Sequence, residues 1–177
     1  MLLWHIGASV AFVRYAFRDP FMDLRFIALG AVFSDLVDLP VAIPLWHDFQ
    51  SARLIGHSTL FAVLVMVVVL IATRRGLWRK RLILLATGVL LHLALDAMWQ
   101  DPETLWWPFL GTKFTSTGFD TFGEYARAVL TNPWMWAGEA VGLVYLVALW
   151  RKAGLSESDA RATFLRTGVV SASIDRT

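Results

Sequence analysis

LILLATGVLLHLALDAMWQ, residues 82–100, is the stretch on which the reading of this chain turns. It is apolar enough to lie in a bilayer, yet it carries His92 and Asp96. Four residues along a helix turn a side chain only about 40° from the first, so the imidazole and the carboxylate stack on one face. That is metal-ligand spacing inside an expected membrane span.

The composition agrees with this setting. Of 177 residues, 57% are hydrophobic and only 17% charged, and the mean hydropathy is +0.58. Soluble domains usually sit near ~45–50% apolar and ~25% charged, so the excess reads as lipid-facing surface. The net charge of +2 does not point to nucleic acid, because the basic residues flank apolar runs and read as topology signals. Cysteine is absent, which removes thiolate zinc sites, disulfides and a cysteine nucleophile together. The first apolar stretch has no basic leader before it, so a removable signal peptide is not expected.

Outward from residues 82–100, four further apolar segments cover 2–17, 26–46, 55–73 and 133–150. The second contains Pro40 and Pro44, which should kink or open its last turns. Between the third and the central segment lies RRGLWRKR, 74–81, with five basic residues and no acid. The positive-inside rule places this loop in the cytoplasm. Alternation then puts the 47–54 and 101–132 connections outside. Within the latter, Phe119, Phe122, Tyr125, Ala126, Val129 and Leu130 recur at helical spacing, as in a short amphipathic helix lying on the bilayer. The fold expected is an all-α integral membrane bundle of about five helices, four full spans plus a short first one. It occupies 1–152 and is followed by a polar cytoplasmic tail, 153–177. In that tail Ser156 to Asp159 resembles a capping box for a helix stopping near Gly168, and the last residues are expected to be disordered.

On this topology the embedded polar residues fall in one layer. His5, Asp35, Asp38, His57, His92, Asp96 and Glu139 all lie in the outer halves of their segments. An ionised group at the bilayer centre costs roughly 2.5–3.5 kcal/mol, so four unpaired carboxylates would cost on the order of 10 kcal/mol. They must be paired, protonated, hydrated or metal-bound. Imidazole plus carboxylate without thiolate suits zinc, with manganese and iron as alternatives. Each residue also has a plainer reading: an interfacial histidine, a helix-end hydrogen bond, an ion pair. Trp106, Trp107, Trp134 and Trp136 read as an aromatic belt. Arg53 is the natural anion binder, because its planar fork takes a phosphate or carboxylate in two hydrogen bonds.

Taken together, the chain resembles the bacterial membrane-bound metal-dependent hydrolases, the group that includes a LexA-regulated inner-membrane protein. The motifs that carry the resemblance are His5, the pair Asp35 and Asp38 before a proline, Arg53-x-x-x-His57-Ser58, His92-x-x-x-Asp96, and Trp107-Pro108-Phe109. It departs from that pattern at Ala52 and Leu54, which stand where the family often has histidine and glycine, and in the wider spacing of the acidic pair. It is also distantly similar to the zinc-dependent phospholipase C superfamily. There an Asp, His, His, Asp order holds zinc, and Met135 here stands where a second-site histidine would precede Glu139.

The resemblance implies a metal-dependent hydrolase in the bacterial inner membrane, and the alternation of the segments makes it multi-pass with its site facing outward. Its metal ligands would come from His5, Asp35, Asp38, His57, His92, Asp96 and Glu139. Asp38, Asp96 and Arg53 would be catalytic, and Arg53, Ser58 and Trp107 would meet a lipid-like or lipid-linked (phospho)ester. Ion or proton translocation and a non-catalytic metal-stabilised membrane protein are the alternatives. The almost purely aliphatic inner halves of the segments argue against a transport path.

Overall fold

The computed structural model describes residues 1–170, and its regular structure is helical throughout. Nine α-helices are formed among these residues: α1 Leu2–Phe17, α2 Leu24–Ala42, α3 Trp46–Phe49, α4 Thr59–Ala72, α5 Leu77–Leu95, α6 Pro102–Leu105, α7 Phe122–Thr131, α8 Pro133–Lys152 and α9 Ser158–Thr167. Short 3₁₀ turns at Ile55–His57 and Met98–Gln100 lead into α4 and out of α5.

The central pair is α2 against α5, and glycine makes it possible. A Cβ at Gly30 would lie 2.1 Å from the Leu85 carbonyl oxygen, and one at Gly88 would lie 2.7 Å from the Ala31 nitrogen. The two backbones therefore touch. That contact presents the Ala31 carbonyl to a side chain on α5, as described below. α1 packs on both α2 and α8. One apolar core, with Val13 and Ile27 fully buried, joins α1, α2, α5 and α8. A second, around Ala62, Val89, Leu93 and Met98, joins α4 to α5. A fully buried side chain such as Ile27 contributes roughly 1.5–3 kcal/mol.

The end of the first core is closed by charge and by the tail. Asp23 caps α2 and pairs with Arg25 at 2.7 Å and Arg81 at 2.8 Å. Burial alone would raise its carboxyl, but the Arg25 hydrogen bonds and the charge of Arg25 and Arg81 hold it below the usual carboxylate range. The Leu24 N–H donates to the Gly168 carbonyl at 2.8 Å, and Arg25 donates to Leu165. Ala153, Leu155 and Val170 are buried in the same core. Residues 153–170 thus pack onto the bundle.

Several expectations are corrected. Among the described residues no helix is long and apolar enough to cross a membrane, so the four full spans are not formed. The physical reason differs by helix. The most apolar, α4, has 14 residues, about 21 Å of rise against a hydrocarbon core of ~30 Å. The longer α2, α5 and α8 each carry charge: Arg25, Asp35 and Asp38; Arg79, Lys80 and Arg81; Glu139, Arg151 and Lys152. The alternation that placed the site outside loses its footing with the spans. The 74–81 loop is shorter than expected, since α5 starts at Leu77 and takes in the basic residues that follow. Asp96 lies just beyond the end of α5 as its C-cap. Segment 26–46 ends at Ala42, two residues past Pro40, and α3 begins separately at Trp46. Helix α9 does stop before Gly168, whose φ is 72°. Its N-cap is Glu157 without a side-chain bond, however, so the Ser156 box is not formed. The expectation for the last residues, 171–177, lies outside the described residues.

Much apolar surface remains open. Val63, Leu64, Val68 and Ile71 on α4 and Val141 and Val144 on α8 are all exposed.

Candidate metal centre

Three histidines from three parts of the chain meet between α1, α2 and α5. His5, His57 and His92 are 1%, 1% and 0% exposed. In each, Nδ1 is already engaged. His92 Nδ1 donates to the Ala31 carbonyl at 2.7 Å, and His5 Nδ1 donates to the Met1 carbonyl. His57 Nδ1 donates to Asp38 Oδ2 at 2.7 Å. A nitrogen facing a carbonyl or carboxylate must carry the proton, so in the neutral ring Nε2 is the atom with a lone pair to give an ion.

The Nε2 atoms converge. His57 Nε2 lies 3.1 Å from His92 Nε2, and Asp35 Oδ1 stands 3.4 Å from the first and 3.7 Å from the second. Ligands 2.0–2.1 Å from a zinc at tetrahedral angles stand about 3.4 Å apart, so these three atoms trace one face of such a site. Asp96 Oδ2 approaches His57 Nε2 at 3.7 Å. His5 Nε2 is 2.9 Å from Asp96 Oδ1, a buried ion-pair contact without hydrogen-bond alignment. Buried lone pairs facing one another repel unless a proton or a metal ion lies between them, and the same atoms can take either. The donor set therefore fits a divalent ion. Two overlapping ligand groups, His5·His92·Asp96 and Asp35·His57·His92, share His92. Because its Nδ1 is committed to Ala31, His92 has one ligand atom to give.

Asp38 stands behind this layer. Its Oδ1 accepts the Gly56 N–H at 2.7 Å and its Oδ2 accepts the Leu54 N–H at 2.6 Å, besides His57. With both oxygens so engaged it orients His57 and shapes the 54–57 turn, and it stands outside the two ligand groups. Glu139 is also set apart: its Oε2 accepts the Leu3 N–H at 2.8 Å, while Oε1 is buried without a partner. It holds the start of α1, the helix that carries His5. Ser58 caps α4 by accepting from Phe61 and donates to Ile55, so its O–H is committed. Trp107 donates to the Thr112 carbonyl and stacks on Phe114. Neither Ser58 nor Trp107 lines the cleft over the site.

That cleft, of about 500 Å³, opens above Asp35, Asp96 and Arg53. Arg53 pairs with Asp96 Oδ2 at 2.9 Å. Helix α7 forms the wall: Tyr125, Ala126, Val129 and Leu130 face the cleft. The stripe expected to rest on a bilayer therefore covers the polar floor. A capping box of Thr121 and Glu124 starts α7. Trp46 anchors it by donating to the Phe119 carbonyl and packing on Phe122 and Tyr125. Sequence reasoning missed Trp46 and the lining role of Tyr125. The aromatic spacing of α7 was visible, but nothing local said what lay opposite it.

Residues 2–157 match the family described as YdjM inner membrane protein. The chain belongs to that family. It is an inner membrane protein, and the match takes in His5, Asp35, His57, His92, Asp96, Arg53 and all of α7. The family description speaks of location and carries no activity. No curated protein and no solved structure matches the chain.

One consequence of the geometry is measurable at Asp38. Removing a partner that orients a ligating histidine typically costs 10–100-fold in metal affinity. Asp38→Asn is expected to weaken zinc binding by about that factor in competition with a chelating dye. Unchanged affinity would show that His57 does not depend on Asp38.

Proposed function

We propose that the protein is a metal-dependent hydrolase of an amphiphilic ester or phosphoester, working at the inner membrane. One observation supports this above all: three imidazoles with committed Nδ1 atoms and two carboxylates form two ligand groups that share His92, at the floor of an apolar-walled cleft that also holds Arg53. Asp35, His57 and His92 would hold the ion, with Asp96 and His5 completing its surroundings. A bound zinc ion would lower the pKa of a coordinated water to about 7 and so supply hydroxide at neutral pH.

The remaining work falls to the chain. Arg53 offers N–H donors beyond its bond to Asp96, and these suit an anionic ester group lying across the floor. Asp96, ionised between His5 and Arg53, would accept a hydrogen bond from the attacking water and orient it. The α7 wall accepts an apolar tail and keeps bulk water away from the floor. The exposed apolar faces of α4 and α8 would rest against lipid, where such substrates are found.

The test is a screen of zinc-loaded protein in detergent against short- and long-chain phosphomonoesters, phosphodiesters and carboxylic esters. Turnover that requires zinc and improves with chain length is expected. Equal rates with and without the ion would overturn the reading.

A further inference from the structure

The Tyr125 phenol has no hydrogen-bond partner among the described residues, although its ring is held on several sides. Trp46 packs on it at 5.2 Å between centroids, with Phe119 and Phe122 each at 6.1 Å. Phenylalanine would make these contacts equally well, so packing does not explain the hydroxyl. Tyr125 lines the cleft together with Arg53, Asp96 and Asp35, and its hydroxyl feels their charges. Burial keeps the phenol above its ordinary pKa, so it is a donor at neutral pH. It is also preorganised, because Trp46 is itself tied to the Phe119 carbonyl.

We infer that Tyr125 is a substrate-binding residue whose hydroxyl donates to the anionic group of the substrate from the α7 wall of the cleft that Arg53 also lines. This rests on the hydrolase reading and narrows it, since the preferred substrate then carries a charged, phosphate-like head and an apolar tail. Both donors then hold the head. The tail runs along Ala126, Val129 and Leu130.

The probe is n-decylphosphonate, whose carbon–phosphorus bond resists hydrolysis, with n-decanol as the uncharged comparison. Both are titrated calorimetrically into zinc-loaded full-length chain in detergent. A hydrogen bond to a charged group contributes about 1.5–3 kcal/mol, so Tyr125→Phe is expected to weaken decylphosphonate binding at least about tenfold. Decanol binding and zinc content should not change. Unchanged phosphonate affinity in Tyr125→Phe would overturn the assignment while leaving the hydrolase reading in place. An equal loss for decanol would overturn it too, by tracing the effect to α7 packing. If the unaltered chain binds no phosphonate, the anionic-substrate reading and this inference fall together.

Discussion

Zinc titrated into a His57→Ala variant is expected to bind roughly 100- to 1000-fold more weakly than into the unaltered chain. The figure follows from the ligand count: whole-site zinc affinities are about 10–16 kcal/mol, so each of four ligands carries roughly 2.5–4 kcal/mol. His57 is well suited to the test because it faces both His92 and Asp35 while Asp38 fixes its ring. Truncating a fully buried imidazole also opens a cavity, and the variant could lose zinc by losing its fold. Asp35→Asn separates the two causes. Asp35 is 35% exposed and lies on the cleft floor, so the amide keeps the shape and removes only the charged ligand. Zinc loss in both variants with helix content intact places the ion at the triangle of His57, His92 and Asp35. Full zinc occupancy in Asp35→Asn would move it to the other group, around His5 and Asp96.

How far the sequence disclosed this site depends on which contacts are local. His92 and Asp96 do stand on one side of the bundle, as a spacing of four foretells, although the helix stops at Leu95 and the closest partners of Asp96 are His5 and Arg53. Asp35 and Asp38 share a helix face and look equivalent in sequence. The 54–57 turn separates their roles, folding back to donate two backbone N–H groups to Asp38 and leaving Asp35 open to the cleft. That fold-back links residues 16 to 19 apart and leaves no periodic signal. Helix α7 makes the same point: an apolar stripe reads alike whether it covers lipid or a cleft. The spans were overestimated because apolar runs were extended through residues that fold otherwise. Pro40 limits α2, and the 3₁₀ turn at Ile55–His57 shortens α4.

Arg53→Ala is expected to lower kcat/KM for a phosphoester about 100-fold or more while zinc affinity changes less than tenfold. Loss of one preorganised donor to a developing anion costs on the order of 10²–10³ in rate. Arg53 is 39% exposed, faces the cleft, and touches the ligand set only through Asp96 Oδ2. Asp96 keeps His5 as a neighbour when the guanidinium is gone, so the ion should stay. Arg53→Lys sharpens the result. It restores the charge without the planar fork, and a partial recovery in KM would show that two-point recognition of the anion matters beyond charge. The opposite pattern, zinc lost in Arg53→Ala with turnover of the residual holoprotein unchanged, would make Arg53 a prop for Asp96 and leave the substrate's charged group to be held elsewhere.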